Sequence, residues 1–259
     1  MRRLMTGILL AVLAAAPASA DLTLTSSTAG KGLGMRGDAE GVTYIKGHRM
    51  RSDVTLRGEN LSTIIDLDEQ KFYSVNHKKK EVEVWNMADF SAELSKITDA
   101  DISVDMSPTG QTKELLGQTC DEYSMRVAVA FAPGGAGDRV NVVMAGPVWV
   151  AKTSPGAADY QAFYRAAVER GLFFTDPRVA KAQPGQAKGM AELYRRMADA
   201  GVAYATDIQV KFEGSGMLGA MMSKMGGSSI STTVTKVSTD TLSDDLFAVP
   251  AGYKVKPQK

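Results

Sequence analysis

GVTYIKGHRMRSDVTLRGENLSTIIDLDEQKFYSVNHKKKEVEVW, residues 41–85, decides the architecture. Read two residues at a time, Met50, Ser52, Val54 and Leu56 fall on one side, and Arg49, Arg51, Asp53, Thr55 and Arg57 on the other. Leu61, Thr63, Ile65 and Leu67 then oppose Ser62, Ile64, Asp66 and Asp68, and Val82 and Val84 alternate with Glu81 and Glu83. Successive side chains of a strand point to opposite faces, so this alternation marks strands with one buried and one wet face. The breaks at 46–48, 57–60, 68–70 and 76–78 are short turn-type sequences. An antiparallel meander with one apolar face is therefore predicted, with Arg49 and Arg51 on the wet side beside Asp53 and Arg57.

Upstream, residues 22–25 form a short alternating strand that leads into a loose segment, 26–40, with four glycines, readable as a flexible hairpin or an edge. Downstream, residues 87–97 place Phe90, Leu94 and Ile97 at helical spacing. Residues 101–106 alternate again, and Tyr123, Met125, Val127, Val129 and Phe131 mark a long one-sided strand. The glycines at 134–137 read as a plain turn, and residues 139–151 as a strand pair interrupted at Gly146-Pro147. The period then changes. Ser154 suits a helix N-cap with Pro155 at the first helical position. Tyr160, Phe163, Tyr164, Ala167 and Val168 make one helical stripe, and Met190, Leu193, Tyr194 and Met197 a second. Strands resume at 204–212 and 229–237, so the helical segment, about 154–201, interrupts a single domain of residues 21–259. A sheet this long twists and needs a cover for its apolar face. The expected fold is mainly β (α+β): a curved antiparallel half-barrel with helices packed in its concave face.

The first twenty residues combine Arg2 and Arg3, an apolar run at 4–16 and a small-residue site, Ala18-Ser19-Ala20, the layout of a cleaved secretory signal peptide. A periplasmic or secreted address is expected, and no cysteine follows Ala20 to take a lipid anchor. Of 30 basic and 29 acidic residues, removal of Arg2 and Arg3 leaves 28 against 29. Such balance supplies no global attraction to nucleic acid. No later run nears the roughly 20 apolar residues of a transmembrane helix, and the single cysteine, Cys120, excludes an internal disulfide.

Several phrases resemble a known family. They are YIKGHRMR (44–51), IIDLD (64–68), LGQTCDEY (116–123), VWVA (148–151) and the closing LFAVPAGY (246–253). In this order they are similar to exported bacterial domains of unknown function with a fold like the lipoprotein carriers LolA and LolB. The resemblance implies a half-open sheet wrapped around helices, an apolar cavity, a periplasmic address and no catalytic activity. The carriers latch their helical cover with an arginine on an early strand. Arg49 and Arg51 lie in a comparable place, but on the wet face, and that role is not carried over.

Catalytic signatures are missing from the sequence: there is no Gly-x-Ser-x-Gly, no His-Glu-x-x-His and no phosphate-binding glycine loop. His48 and His77 read as solvated turn residues without metal-ligand spacing, Asp66 and Asp68 as a solvated strand edge, and Cys120 as a small core residue. Lys78, Lys79 and Lys80 read as a solvated hairpin tip. In residues 214–227, GSGMLGAMMSKMGG, Leu218, Met221, Met222 and Met225 line up on one helical face. Methionine adapts to irregular apolar partners, so this piece reads either as a plug for the half-barrel or as a hinged flap. The expected role is a non-enzymatic binding protein with no cofactor and no metal. Its ligand would be a lipid, an acyl chain or an apolar segment of an envelope protein, touching Leu218, Met221, Met222, Met225, Phe163, Tyr164, Leu193 and Met197. Two alternatives are an envelope interaction protein with a filled core and a methionine-rich copper handler.

Overall fold

The computed structural model describes residues 21–32, 35–56, 58–89, 102–131, 140–170, 178, 184–214, 220–222, 224 and 226–258. The expected signal peptide, most of the helix predicted at 87–97 and the turn predicted at 134–137 lie outside these residues; 87–89 are helical.

Residues 41–85 fold as read. β2 (Met35–Lys46), β3 (Arg49–Leu56), β4 (Glu59–Asp66), β5 (Lys71–Asn76) and β6 (Glu81–Asn86) pair antiparallel in sequence order. The turns fall where the alternation breaks. The glycine-bearing segment is an ordinary hairpin arm, with β1 (Leu22–Gly32) pairing along its whole length with β2. The remaining strands are β7 (Ile102–Leu115), β8 (Gln118–Phe131), β9 (Val140–Ala151), β10 (Val202–Gly214), β11 (Ser228–Ser238) and β12 (Lys254–Pro257). All twelve join one open, curved sheet in the order β12-β6-β5-β4-β3-β2-β1-β11-β10-β9-β8-β7. The two halves meet at the antiparallel pair β1–β11. Every pair is antiparallel except β12 with β6.

Register shows what drives the curl. Leu22, Ile45, Met50, Ile65, Phe72 and Trp85 stand opposite one another across six successive strands. Directly opposed residues share a face, so this row is one apolar stripe, and all six are buried in one cluster. On the other half Val127, Val129, Val148 and Val150 line the same side. Two helices lie over these surfaces: α1 (Ala157–Glu169) against β2 and β10, and α2 (Pro184–Ala200) against β7 to β10.

Three expectations need correction. First, α1 starts later than predicted. Gly156 precedes it with φ 72°, where no side chain caps the helix, and Ser154 is buried with its hydroxyl 2.8 Å from that of Tyr204. The tyrosine outcompetes the helix end for the serine. Second, β9 is one unbroken strand. At Gly146 it approaches β10 so closely that a Cβ would stand 1.9 Å from the Asp207 carbonyl oxygen, so Gly146 permits contact rather than a turn. Third, the outward face of β3 to β6 is not wet. The closing segment crosses it: Phe247, on a single 3-10 turn (Asp244–Phe247), packs with Ile64, Val75 and Val82, bordered by Tyr44, Tyr73, Leu246, Val249 and Tyr253. β12 completes this strap by joining the sheet edge.

Candidate functional site

The concave side carries most of the predicted contacts. α1 is helical because its apolar positions recur at 160, 163, 164 and 167, all buried toward the sheet. Its rings interlock: Tyr160 and Tyr164 centroids lie 4.6 Å apart, Phe163 meets Tyr164 edge-on at 5.5 Å, and Tyr164 stacks on Tyr194 of α2 at 5.5 Å. The Tyr164 hydroxyl points at the Met50 sulfur, 4.0 Å away. Burial pushes the hydroxyls of Tyr160, Tyr164 and Tyr194 above the usual phenol range, so all three stay neutral. In α2, Gly189 packs tightly on the sheet: a Cβ would lie 3.2 Å from Val129 and 3.3 Å from Val127.

Of the eight residues predicted to touch a ligand, Phe163 and Tyr164 belong to the cluster over β1 to β6. Leu193 and Met197 belong to the one over β8 and β9. All four are buried as core residues. Met221 is 55 % exposed, Met222 is half-buried, and neither belongs to a buried cluster. Leu218 and Met225 lie outside the described residues.

Ion pairs fasten the rim of the cover. Just past α1, Arg170 donates to the Asp68 carboxylate at 2.8 Å, and His48 lies 2.9 Å from the same oxygen. The Arg170 hydrogen bond, followed by that of His48, holds the Asp68 carboxyl below the usual carboxylate range. Arg165 of α1 pairs with Asp199 of α2 at 3.2 Å. Asp66 acts locally, its carboxylate accepting from the backbone N–H groups of Asp68 and Glu69 to shape the β4–β5 turn.

The outward face holds a polar knot that sequence reasoning missed. Arg51, whose side chain is only 14 % exposed, donates to Asp53 at 2.7 Å, to the Leu246 carbonyl at 2.9 Å and to the Ser62 hydroxyl at 3.3 Å. Arg49 reaches Asp244 and lies over the Phe247 ring. His77 is no solvated turn residue: its Nε2 is 2.6 Å from Ser62 Oγ and its Nδ1 2.9 Å from the Tyr253 hydroxyl. An open groove of about 400 Å³ borders this knot, lined by Arg51, Asp53, Asn60, Leu61, Ser62 and His77 among others. A serine beside a histidine invites a nucleophile reading, and the surroundings argue otherwise. Ser62 is 3 % exposed, Arg51 and His77 both engage its oxygen, and the flanking strand carries ladder hydrogen bonds instead of a free oxyanion cradle. The knot fastens the strap.

A second open groove, about 500 Å³, runs between β7 and α2 past Ile102, Val104, Lys188, Glu192 and Arg196. Glu192 is held ionised by Arg195, then Arg196. Cys120 is fully buried, and burial raises its thiol out of the reactive range. Among the described residues no three His, Cys, Asp or Glu side chains converge as a metal site, and no helix is long and apolar enough to cross a membrane.

No family model matches the chain, and no curated protein matches it. Solved structures do. One is an uncharacterized conserved protein from Thermus thermophilus, at 10 % identity over 93 % of this chain and 92 % of that one, TM-score 0.45. Another is described as an outer membrane lipoprotein-sorting protein domain from Vibrio parahaemolyticus, at 10 % identity over 89 % and 90 %, TM-score 0.32. A third is a DUF1329 family protein from Desulfovibrio piger, at 10 % identity over 90 % and 91 %, TM-score 0.23.

Proposed function

We propose that this chain is an exported, non-catalytic binding protein whose α1–α2 cover moves off the concave face to admit an apolar guest. The guest is a lipid acyl chain or an apolar segment of an envelope protein. One observation carries the reading: two helices bury aromatic and aliphatic side chains against an apolar stripe that crosses both halves of the sheet. Most of this contact is apolar, so a guest of similar polarity can take the helices' place on the stripe. The rim pairs Arg170–Asp68 and Arg165–Asp199 are exposed and of the class that contributes little to stability. They position the cover without locking it.

The test is direct. Protein purified natively from the cell envelope is extracted with organic solvent for mass spectrometry, and the delipidated protein is titrated with a fluorescent fatty acid. Saturable binding, weakened by Leu193→Asp in a chain that still folds, is the expected result. No extracted lipid together with no saturable binding would overturn the reading.

A second reading has its own support. Phe163, Ala167, Ala187 and Ala198 are completely buried, as in a core that is simply full. On that reading the protein acts through surface contacts with an envelope partner, and cross-linking in whole cells captures that partner while extraction yields no lipid.

A further inference from the structure

The fold gathers lysines that are far apart in sequence. Lys78, Lys79 and Lys80 form the β5–β6 turn, and β12 brings Lys254 and Lys256 beside it, opposite Glu81 and Glu83. The backbone N–H of Lys254 donates to the Lys80 carbonyl at 2.9 Å. Acidic neighbours offset part of this charge. Lys78 pairs with Glu59 at 3.0 Å, Lys256 with Glu81 at 2.6 Å, and Glu83 faces Arg178 at 3.6 Å. Lys79, Lys80 and Lys254 are exposed, and among the described residues no ion pair holds them. Glu81 responds to the crowd: the hydrogen bond from Lys256, then the nearby charges of Lys256, Lys254 and Lys79, keep its carboxyl below the usual range. Between the strand's two lysines, Val255 is 49 % exposed.

We propose that this corner, carrying Lys79, Lys80 and Lys254, docks the protein on an anionic lipid surface. A nearly neutral chain gains no attraction from its overall charge. A local cluster of uncompensated lysines does, because each lysine near an anionic bilayer raises affinity by about fivefold. The corner stands at the end of the sheet: among the described residues no strand pairs outside β12. This docking is independent of whether the concave face takes a guest.

The experiment is co-sedimentation with vesicles of phosphatidylcholine containing about 30 % phosphatidylglycerol. Binding is expected in 20 mM salt and absent with phosphatidylcholine alone. It is lost in 0.5 M NaCl, where the Debye length is about 4 Å. The triple variant K79Q/K80Q/K254Q should bind about 100-fold more weakly. A control triple, K31Q/K211Q/K236Q, removes the same charge from exposed sites elsewhere on the sheet and should bind like the wild type. Equal thermal unfolding of all variants verifies folding. Failure of the wild type to bind phosphatidylglycerol vesicles overturns the proposal, even if an acidic protein is captured instead. So does equal weakening in both triples. A chain that sediments with vesicles but binds no acyl probe retains this inference and loses the carrier reading.

Discussion

Single residues decide how closely the strands and the strap approach. Gly146→Ala places a methyl group where the Asp207 carbonyl oxygen stands. β9 and β10 must separate there, at an expected loss of about 3 kcal/mol in a denaturant titration. Arg51→Ala removes a guanidinium that binds Asp53, Ser62 and the Leu246 carbonyl at once. The expected cost is about 2 kcal/mol, with faster carboxypeptidase trimming of the freed C-terminus. Asp68 gives a pH-dependent prediction. Its folded pKa is lowered, so its ion pairs support the fold above the ordinary carboxylate value of about 4 and are lost as pH falls through the lower folded value. Carboxyl NMR should show Asp68 titrating below its unfolded value, and Arg170→Gln should move it back up. The identity of these residues was visible in the sequence, but their partners were not. Arg51 and His77 are polar residues at positions that look wet until a segment about 195 and 176 residues away is laid on them.

At the scale of elements, period was enough to read residues 41–85 as a meander with its turns, and both long helices. Two features escaped. The pairing of β1 with β11 leaves no trace in either strand's own pattern, since any apolar partner of the right length would satisfy it. The second covered face did leave a signal: Ile64, read as wet, is as apolar as Ile65 beside it, and the apolar side of β6, Val82 and Val84, shares the face of Ile64, Tyr73 and Val75 instead of that of Ile65. A chain ending at residue 242 loses Phe247 and β12 and uncovers Ile64, Val75 and Val82. That chain is expected to bind a hydrophobic dye strongly and to aggregate at concentrations where the full chain stays monodisperse. In α2, Gly189→Leu drives a branched side chain into Val127 and Val129. It should lift the helix from β7 and β8 and speed hydrogen exchange along it, leaving β2 to β6 protected.

For the whole molecule, the deciding feature is one sheet shared by two halves, with one arm of the core running from β1 to β6 and another over β8 and β9. Cys120 reports on its integrity: no modification by a thiol reagent is expected in the native state, and complete modification in denaturant. The route of the chain through that sheet has a further outcome. Strands β1 to β6 are made well before the segment that roofs their outer side and borders β6. Until residues 244–257 are made, the earlier hairpins therefore carry an unfinished margin, open to chaperones and to premature pairing. A stop codon between β11 and β12 would then do damage out of proportion to the length of β12.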